Sequence, residues 1–210
     1  MTSSSTNLLG ISRFTSRLAP PTRELLSWQQ LAALFSDPRR TSCPLAICRG
    51  STCPHKDGEC WSPSVFSGST LSAQDVEAVS CLVLDVDHVT DAAVDVMRTQ
   101  IVEYQHLIHV THSDRLDDRC LRVIVQLSRS VDPIEWPRFW SASVRALSAP
   151  IDSTCGDIAR CYYLPSRPYD ADYFVAVHMG EPLDVDAMLA AAPDPDDSAT
   201  QITEQEGITP

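Results

Sequence analysis

The chain has 210 residues, 43% of them apolar and 21% charged, with a formal net charge of -12. That length and balance fit one soluble domain with a proper core, and no apolar run approaches the roughly 20 residues a membrane-spanning helix needs. Eight cysteines without an export signal argue against a disulfide framework and leave metal ligation or ordinary buried thiols.

The charge is unevenly spread. All 16 basic residues lie at or before Arg167, whereas ten of the 28 acids fall in residues 169–210, which hold no base. The acidity belongs mainly to the C-terminal segment and does not exclude a nucleic-acid partner for the rest. Fifteen of the 16 bases are arginine, which a GC-rich genome produces as readily as phosphate recognition does.

In chain order, residues 1–22 are rich in Ser and Thr and lack a secretory apolar core, so they read as a disordered lead of a cytoplasmic protein. Ser27 and Gln30 form a capping box that predicts a helix over 28–35. Residues 43–61 read as irregular. Reduced thiols in a loop are the leading reading of this stretch; the alternative is a structural zinc, for which Cys48, Cys53, His55 and Cys60, preceded by Cys43, would be the ligand set.

Residues 79–87 are an apolar run ending in Asp85 and Asp87. As a buried strand, it sends Leu82, Leu84 and Val86 to one face and both acids to the other. Thr90 caps a helix over 91–103, followed by strands over 107–112 and 121–127. Asp132, Pro133 and Glu135 start a helix to about residue 148, in which Trp136, Phe139 and Trp140 share a core-packing face. A strand over 160–164, another over 173–178 and a helix over 185–191 precede a disordered acidic tail. The expected organisation is a lead (1–22), one domain (23–180) containing the cysteine-rich loop, and a short helix with its tail (181–210).

From residue 79 onward the order is β-α-β-β-α-β, the split arrangement of ferredoxin-like and RNA-recognition-motif-like sheets, an α+β fold. There the first strand is flanked by the third and the fourth. Arg122 and Arg160 would then border Asp85 and Asp87, and Asp152 would reach the same end of the sheet. Three acids with arginines and a histidine around them suit Mg²⁺ or Mn²⁺ bound together with a polyphosphate. The bland alternative is acids at a solvated strand end.

Four stretches in order, Leu82 through Asp87, Val110-Thr111-His112-Ser113, Leu121 through Val131, and Ile151-Asp152 with Arg160 through Ser166, resemble the archaeo-eukaryotic primase superfamily. The likeness is to primase-polymerase domains of plasmids, phages and other mobile elements, and it covers roughly residues 28–179. It implies a primase catalytic core with an α/irregular N-terminal subunit. By the same resemblance, Asp85, Asp87 and Asp152 are metal ligands and His112 contacts the incoming nucleotide's phosphates. Arg122 and Arg160, in the surroundings of those motifs, are our candidates for triphosphate contacts. The implied activity is metal-dependent primer synthesis on single-stranded DNA from nucleoside triphosphates, with a replicative helicase as the expected partner and no membrane. Val110 stands where the second motif usually has a small hydroxyl residue, and His88 where a small residue follows the acids. A replication-associated nucleic-acid-binding module without turnover is the runner-up. Residues 84–90 also resemble the D-x-D-G-T opening of haloacid dehalogenase phosphatases, but His88 replaces the glycine and no lysine follows Asp87.

Overall fold

A computed structural model describes residues 8–147 and 150–192. The chain runs through β1 (Leu9–Phe14), β2 (Thr22–Leu26), α1 (Trp28–Ala33), β3 (Arg39–Arg40), three single 3₁₀ turns, β4 (Cys60–Ser62) and β5 (Ser64–Phe66). It continues through β6 (Val76–Val89), α2 (Asp91–Gln100), β7 (His106–Val110), β8 (Arg119–Val131) and α3 (Trp136–Ala146). The final elements are β9 (Tyr162–Tyr163), β10 (Ser166–Arg167), β11 (Val175–His178) and α4 (Val185–Ala191).

β6 is the axis of the molecule. Every residue from Val79 to Val86 is buried, the pattern of a strand covered on both faces. It pairs antiparallel with β8, which sets Asp85 opposite Arg122 and Val83 opposite Ile124. The sheet order is β11-β7-β8-β6-β5. On one face Leu82, Leu84, Val123 and Val125 pack against Val94 and Met97 of α2 and Trp136 and Phe139 of α3. On the other, Cys81, Val83, Leu107 and Ile124 meet Leu9 and Ile11 of β1, Leu31 of α1, Phe35 and Trp61. The helix starts at Ser27 and Thr90 obey their signals, whereas α3 begins only at Trp136, after a turn whose Ile134 and Glu135 amides donate to Asp132 Oδ1. Ser27 Oγ accepts from the Gln30 amide at 3.2 Å and Gln30 Oε1 from the Ser27 amide at 2.8 Å, both halves of the capping box.

Three expectations are corrected. Residues 9–14, assigned to a disordered lead, form a central strand with Ile11 fully buried. Leu9 and Ile11 alternate with Gly10 and Ser12, but Arg13 stands where the next apolar residue would fall, so the pattern is too short to announce a strand; close packing explains the glycine. A Cβ there would lie 2.9 Å from Val65 Cγ2. The N-terminal unit is therefore not α/irregular but a second sheet, of order β2-β1-β4-β9.

The third correction concerns the strand expected over 160–164. It shrinks to β9, which pairs with β4 in the N-terminal sheet, while β5 takes the place beside β6. The physical reason lies at Pro63, the one residue between β4 and β5. It has no N–H to continue a ladder, the chain changes sheets there, and its carbonyl accepts from the Ser80 amide at 2.9 Å. The edge that β9 would have used is thereby filled. The expected acidic tail lies outside the described residues from 193 onward, as does the lead over 1–7.

His109 of β7 is sealed between the layers, 1% exposed, with its ring 5.1 Å from Phe35 and its Nδ1 donating to the Val110 carbonyl at 2.9 Å. Burial, and then Arg122, push its pKa down to about 3. Two outcomes follow from this core. Phe35→Ala removes a fully buried ring that meets both Trp61 and His109 and is expected to cost about 3–5 kcal/mol in a urea melt. In the unfolded chain His109 titrates near 6.5, so as pH falls below that value the unfolded state takes up a proton the folded state refuses, and stability drops. Melts at pH 7 and pH 5 are expected to show a smaller loss for His109→Gln than for the wild type. An equal loss would refute the assignment.

Candidate active site

At the end of β6 the N-terminal sheet no longer covers the central one, and a cleft of about 480 Å³ opens. Asp85, Asp87, His112, Arg122, Arg160 and Tyr163 are among its lining residues. Strand register delivers the first contacts. Because Asp85 faces Arg122 across the β6–β8 pair, Arg122 Nε lies 2.6 Å from Asp85 Oδ1, and its terminal nitrogen 3.3 Å from Oδ2. The residue pair is buried, with side-chain exposures of 12% and 6%.

The last acid arrives by a loop. The Asp152 amide donates to the Asp85 carbonyl at 3.0 Å, docking the turn Ser153–Gly156 against β6. Asp152 Oδ1 caps that turn through the Thr154 amide at 2.9 Å, and Oδ2 accepts from the Thr154 hydroxyl at 2.5 Å. Arg160 then closes the arrangement. One of its terminal nitrogens lies 3.2 Å from Asp85 Oδ2 and also 3.2 Å from Asp152 Oδ2, so a single cation bridges the two carboxylates.

The electrostatics follow from those contacts. Burial works to raise the Asp85 carboxyl, but Arg122 and Arg160 outweigh it and hold it below the usual carboxylate range. Asp152 is also held low: burial opposes, and the Thr154 hydrogen bonds and Arg160 prevail. Asp87 goes the other way. It opens to solvent, and partial desolvation together with the Asp85 carboxylate raises its pKa. The next residue, His88, sits at φ 60°, a left-handed backbone uncommon outside glycine, in a register shift between β6 and β8.

Asp85, Asp152, Arg122 and Arg160 are thus brought together, whereas Asp87 lies outside the group of ligand atoms within 4.8 Å of one another, which Cys155 completes instead. His112 lines the cleft but turns elsewhere: its Nδ1 meets Ser166 Oγ at 3.1 Å and its Nε2 meets Cys48 Sγ at 3.3 Å. Reading the chain missed two neighbours of the acids. Tyr162 lies beneath both guanidiniums, 4.5 Å from Arg122 and 5.4 Å from Arg160; its spacing of two from Arg160 was the available signal. Cys155 accepts from the Asp85 amide at 3.3 Å and carried no signal.

The expected cysteine set does not assemble. Cys48 and Cys53 gather with Cys43. His55 instead meets Ser42 Oγ at 3.3 Å through its Nδ1. Cys60 is drawn into β4, where its thiol donates to the Gly58 carbonyl at 3.5 Å.

Hard oxygen donors suit a divalent ion of the Mg²⁺ or Mn²⁺ kind. Asp85 and Asp152 fit such an ion because a positive group already bridges their Oδ2 atoms.

No curated protein matches this chain. Among solved structures, it is similar to the AEP domain of the cyanophage S-2L primase-polymerase (PrimPol), with a TM-score of 0.51 at 11% identity over 90% of this chain and 91% of that one. At that identity the likeness concerns the fold, and it is the α+β primase-polymerase fold. The family model of the VapE N-terminal domain matches residues 22–201. That match spans most of the sequence and agrees with the fold built from its two larger sheets, so the chain belongs to the VapE N-terminal domain family, of primase-like fold.

Proposed function

We propose that this chain is a metal-dependent nucleotidyltransferase of DNA replication, a primase-polymerase that builds primers on single-stranded DNA from nucleoside triphosphates. The observation that carries the reading is the Asp85–Arg160–Asp152 bridge, of which Asp85 and Arg160 line the cleft. Two carboxylates held apart by one guanidinium are a pair of metal ligands with a counter-charge in the metal's place. Asp85 and Asp152 would hold Mg²⁺ or Mn²⁺, with Asp87 at the rim as the third carboxylate. Such an ion supplies charge stabilisation for the attacking and leaving oxygens of phosphoryl transfer.

The chain's own groups do the rest. Arg160, displaced from between the acids, is 27% exposed at its side chain and free to meet a triphosphate. Arg122 stays in place, because it is pinned by Asp85 on one side and by the Tyr163 carbonyl at 3.2 Å on the other. It keeps Asp85 ionised at any pH where the reaction runs. The nucleotide and the template strand enter from the solvent side, where Asp87, Lys56 and Tyr163 line the opening. A replicative helicase would unwind the template for such an enzyme.

One feature favours a second reading, a nucleic-acid-binding module without turnover. Asp85 is only 4% exposed and already neutralised by two arginines. One experiment separates the two: purified protein, single-stranded template, Mg²⁺ or Mn²⁺ and labelled nucleotides. Primer products are expected, and Asp152→Asn is expected to reduce them more than about a hundredfold, the scale of losing one charge-stabilising group, while template binding persists. Template binding with no product from the wild type supports the module instead. Asp85→Ala is a poorer probe because it leaves Arg122 buried without its anion, at about 3–5 kcal/mol; a thermal melt of that variant is expected to show the loss. Arg160→Ala is expected to raise the Km for nucleotide severalfold with little change in Tm.

A further inference from the structure

Residues 42–59 form a long connection whose only regular structure is three 3₁₀ turns, Leu45–Ile47, Gly50–Thr52 and Pro54–Lys56. Only two residues of this stretch are buried, Cys43 and Cys53. Ile47, its largest aliphatic side chain along with Leu45, is 72% exposed. A segment of this kind has no apolar core of its own to offset the conformational entropy of ordering it. What lies at its centre is sulfur. Cys43, Cys48 and Cys53 place their Sγ atoms within 4.8 Å of one another, and all three are free thiols. Two of the turns end on a member of the trio: the Cys48 amide closes the first onto Leu45 and the Cys53 amide closes the second onto Gly50.

A fourth donor comes from outside the segment. His112 Nε2 lies 3.3 Å from Cys48 Sγ. Ligands bound to zinc at about 2.3 Å for sulfur and about 2.0 Å for nitrogen stand about 3.5 Å apart in tetrahedral geometry, a spacing the Cys48–His112 contact already meets as a hydrogen bond; His112 stands outside the group of three thiols that all lie within 4.8 Å of one another, so an ion would draw its ring in toward Cys43 and Cys53. The far ring nitrogen is held as a metal-bound histidine's usually is, with Nδ1 on Ser166 Oγ at 3.1 Å. Around the pair, Arg115 donates to the Cys48 carbonyl at 3.2 Å and Ser113 packs against Gly50, which adopts φ 57°. The loop after β7 and the cysteine segment are therefore already docked on each other.

We infer that Cys43, Cys48, Cys53 and His112 form a structural zinc site that fastens the cysteine segment to the wall of the cleft. Three thiolates and one imidazole are a closed set for zinc, soft enough to exclude the Mg²⁺ that suits the carboxylates. The site replaces the missing apolar core of residues 42–59. It also takes His112 out of the phosphate-contacting role that the motif resemblance implies, and gives the cleft a wall that is rigid before any substrate arrives.

The full chain, purified without chelator, is expected to carry one zinc by elemental analysis. Alkylation of the folded protein is expected to leave Cys43, Cys48 and Cys53 unmodified until a strong chelator is added, read by mass mapping of the wild type. Cobalt substitution is expected to give sulfur-to-metal charge-transfer bands and tetrahedral d–d bands. His112→Ala is expected to weaken zinc binding by at least about tenfold, since even outer contacts to a metal site are worth that much, whereas His55→Ala leaves it unchanged. Absence of zinc, an alkylation pattern that chelation does not alter, or equal zinc affinity in His112→Ala would each overturn the site. The wild-type measurements decide the matter even where a variant folds poorly.

Discussion

The contact on which the rest of this structure depends is the buried pairing of Asp85 with Arg122 across two antiparallel strands. A carboxylate and a guanidinium taken out of water are costly unless each finds its partner in good geometry, and strand register supplies that geometry. A slip of one residue between β6 and β8 would turn Asp85 into the helix-side core and Leu84 and Val86 into the cleft. The pair thus fixes the register of the central sheet and the floor of the cleft together. Its neighbours extend the same logic: His109, opposite Arg122 in β7, is kept neutral partly by that guanidinium, and Tyr162 lies beneath both arginines.

The second constraint is topological. Chain flow through Ser62, Pro63 and Ser64 ties the two sheets together, so the N-terminal sheet lies across the central one and covers Cys81 and Val83 but stops short of Asp85. The cleft exists because the cover ends before the strand does. Its opposite wall is the cysteine segment and the loop after β7, which lean on each other through Cys48, His112 and Arg115. Charge is arranged to suit: acids at the floor are paired with arginines, and Lys56 lines the opening.

Much of the central sheet was legible because its signals are local. The period-two alternation of residues 82–87 and 121–127, the Thr90 cap and the capping box at Ser27 each operate within a few residues, and each element forms where its signal lies. β1 was illegible for an equally physical reason. Its apolar alternation lasts only from Leu9 to Ile11 before Arg13 breaks it, and the glycine between them, kept small beside Val65, is a poor strand former by itself. The shortened strand at 162–163 was misplaced because propensity identifies a strand but not its partner.

Sequence alone determined the α+β class, the family likeness and the carboxylates and arginines that meet in the cleft, since short motifs and strand alternation carry that information residue by residue. Tertiary structure decided the rest. That Arg160 stands between Asp85 and Asp152, that Asp87 is left at the rim, and that Cys43 rather than His55 or Cys60 joins Cys48 and Cys53 beside His112 all depend on how loops far apart in the chain dock on the sheets. Spacing along a chain states which donors are available; only the closing of the fold, which sets distances between segments that share no local pattern, states which of them meet.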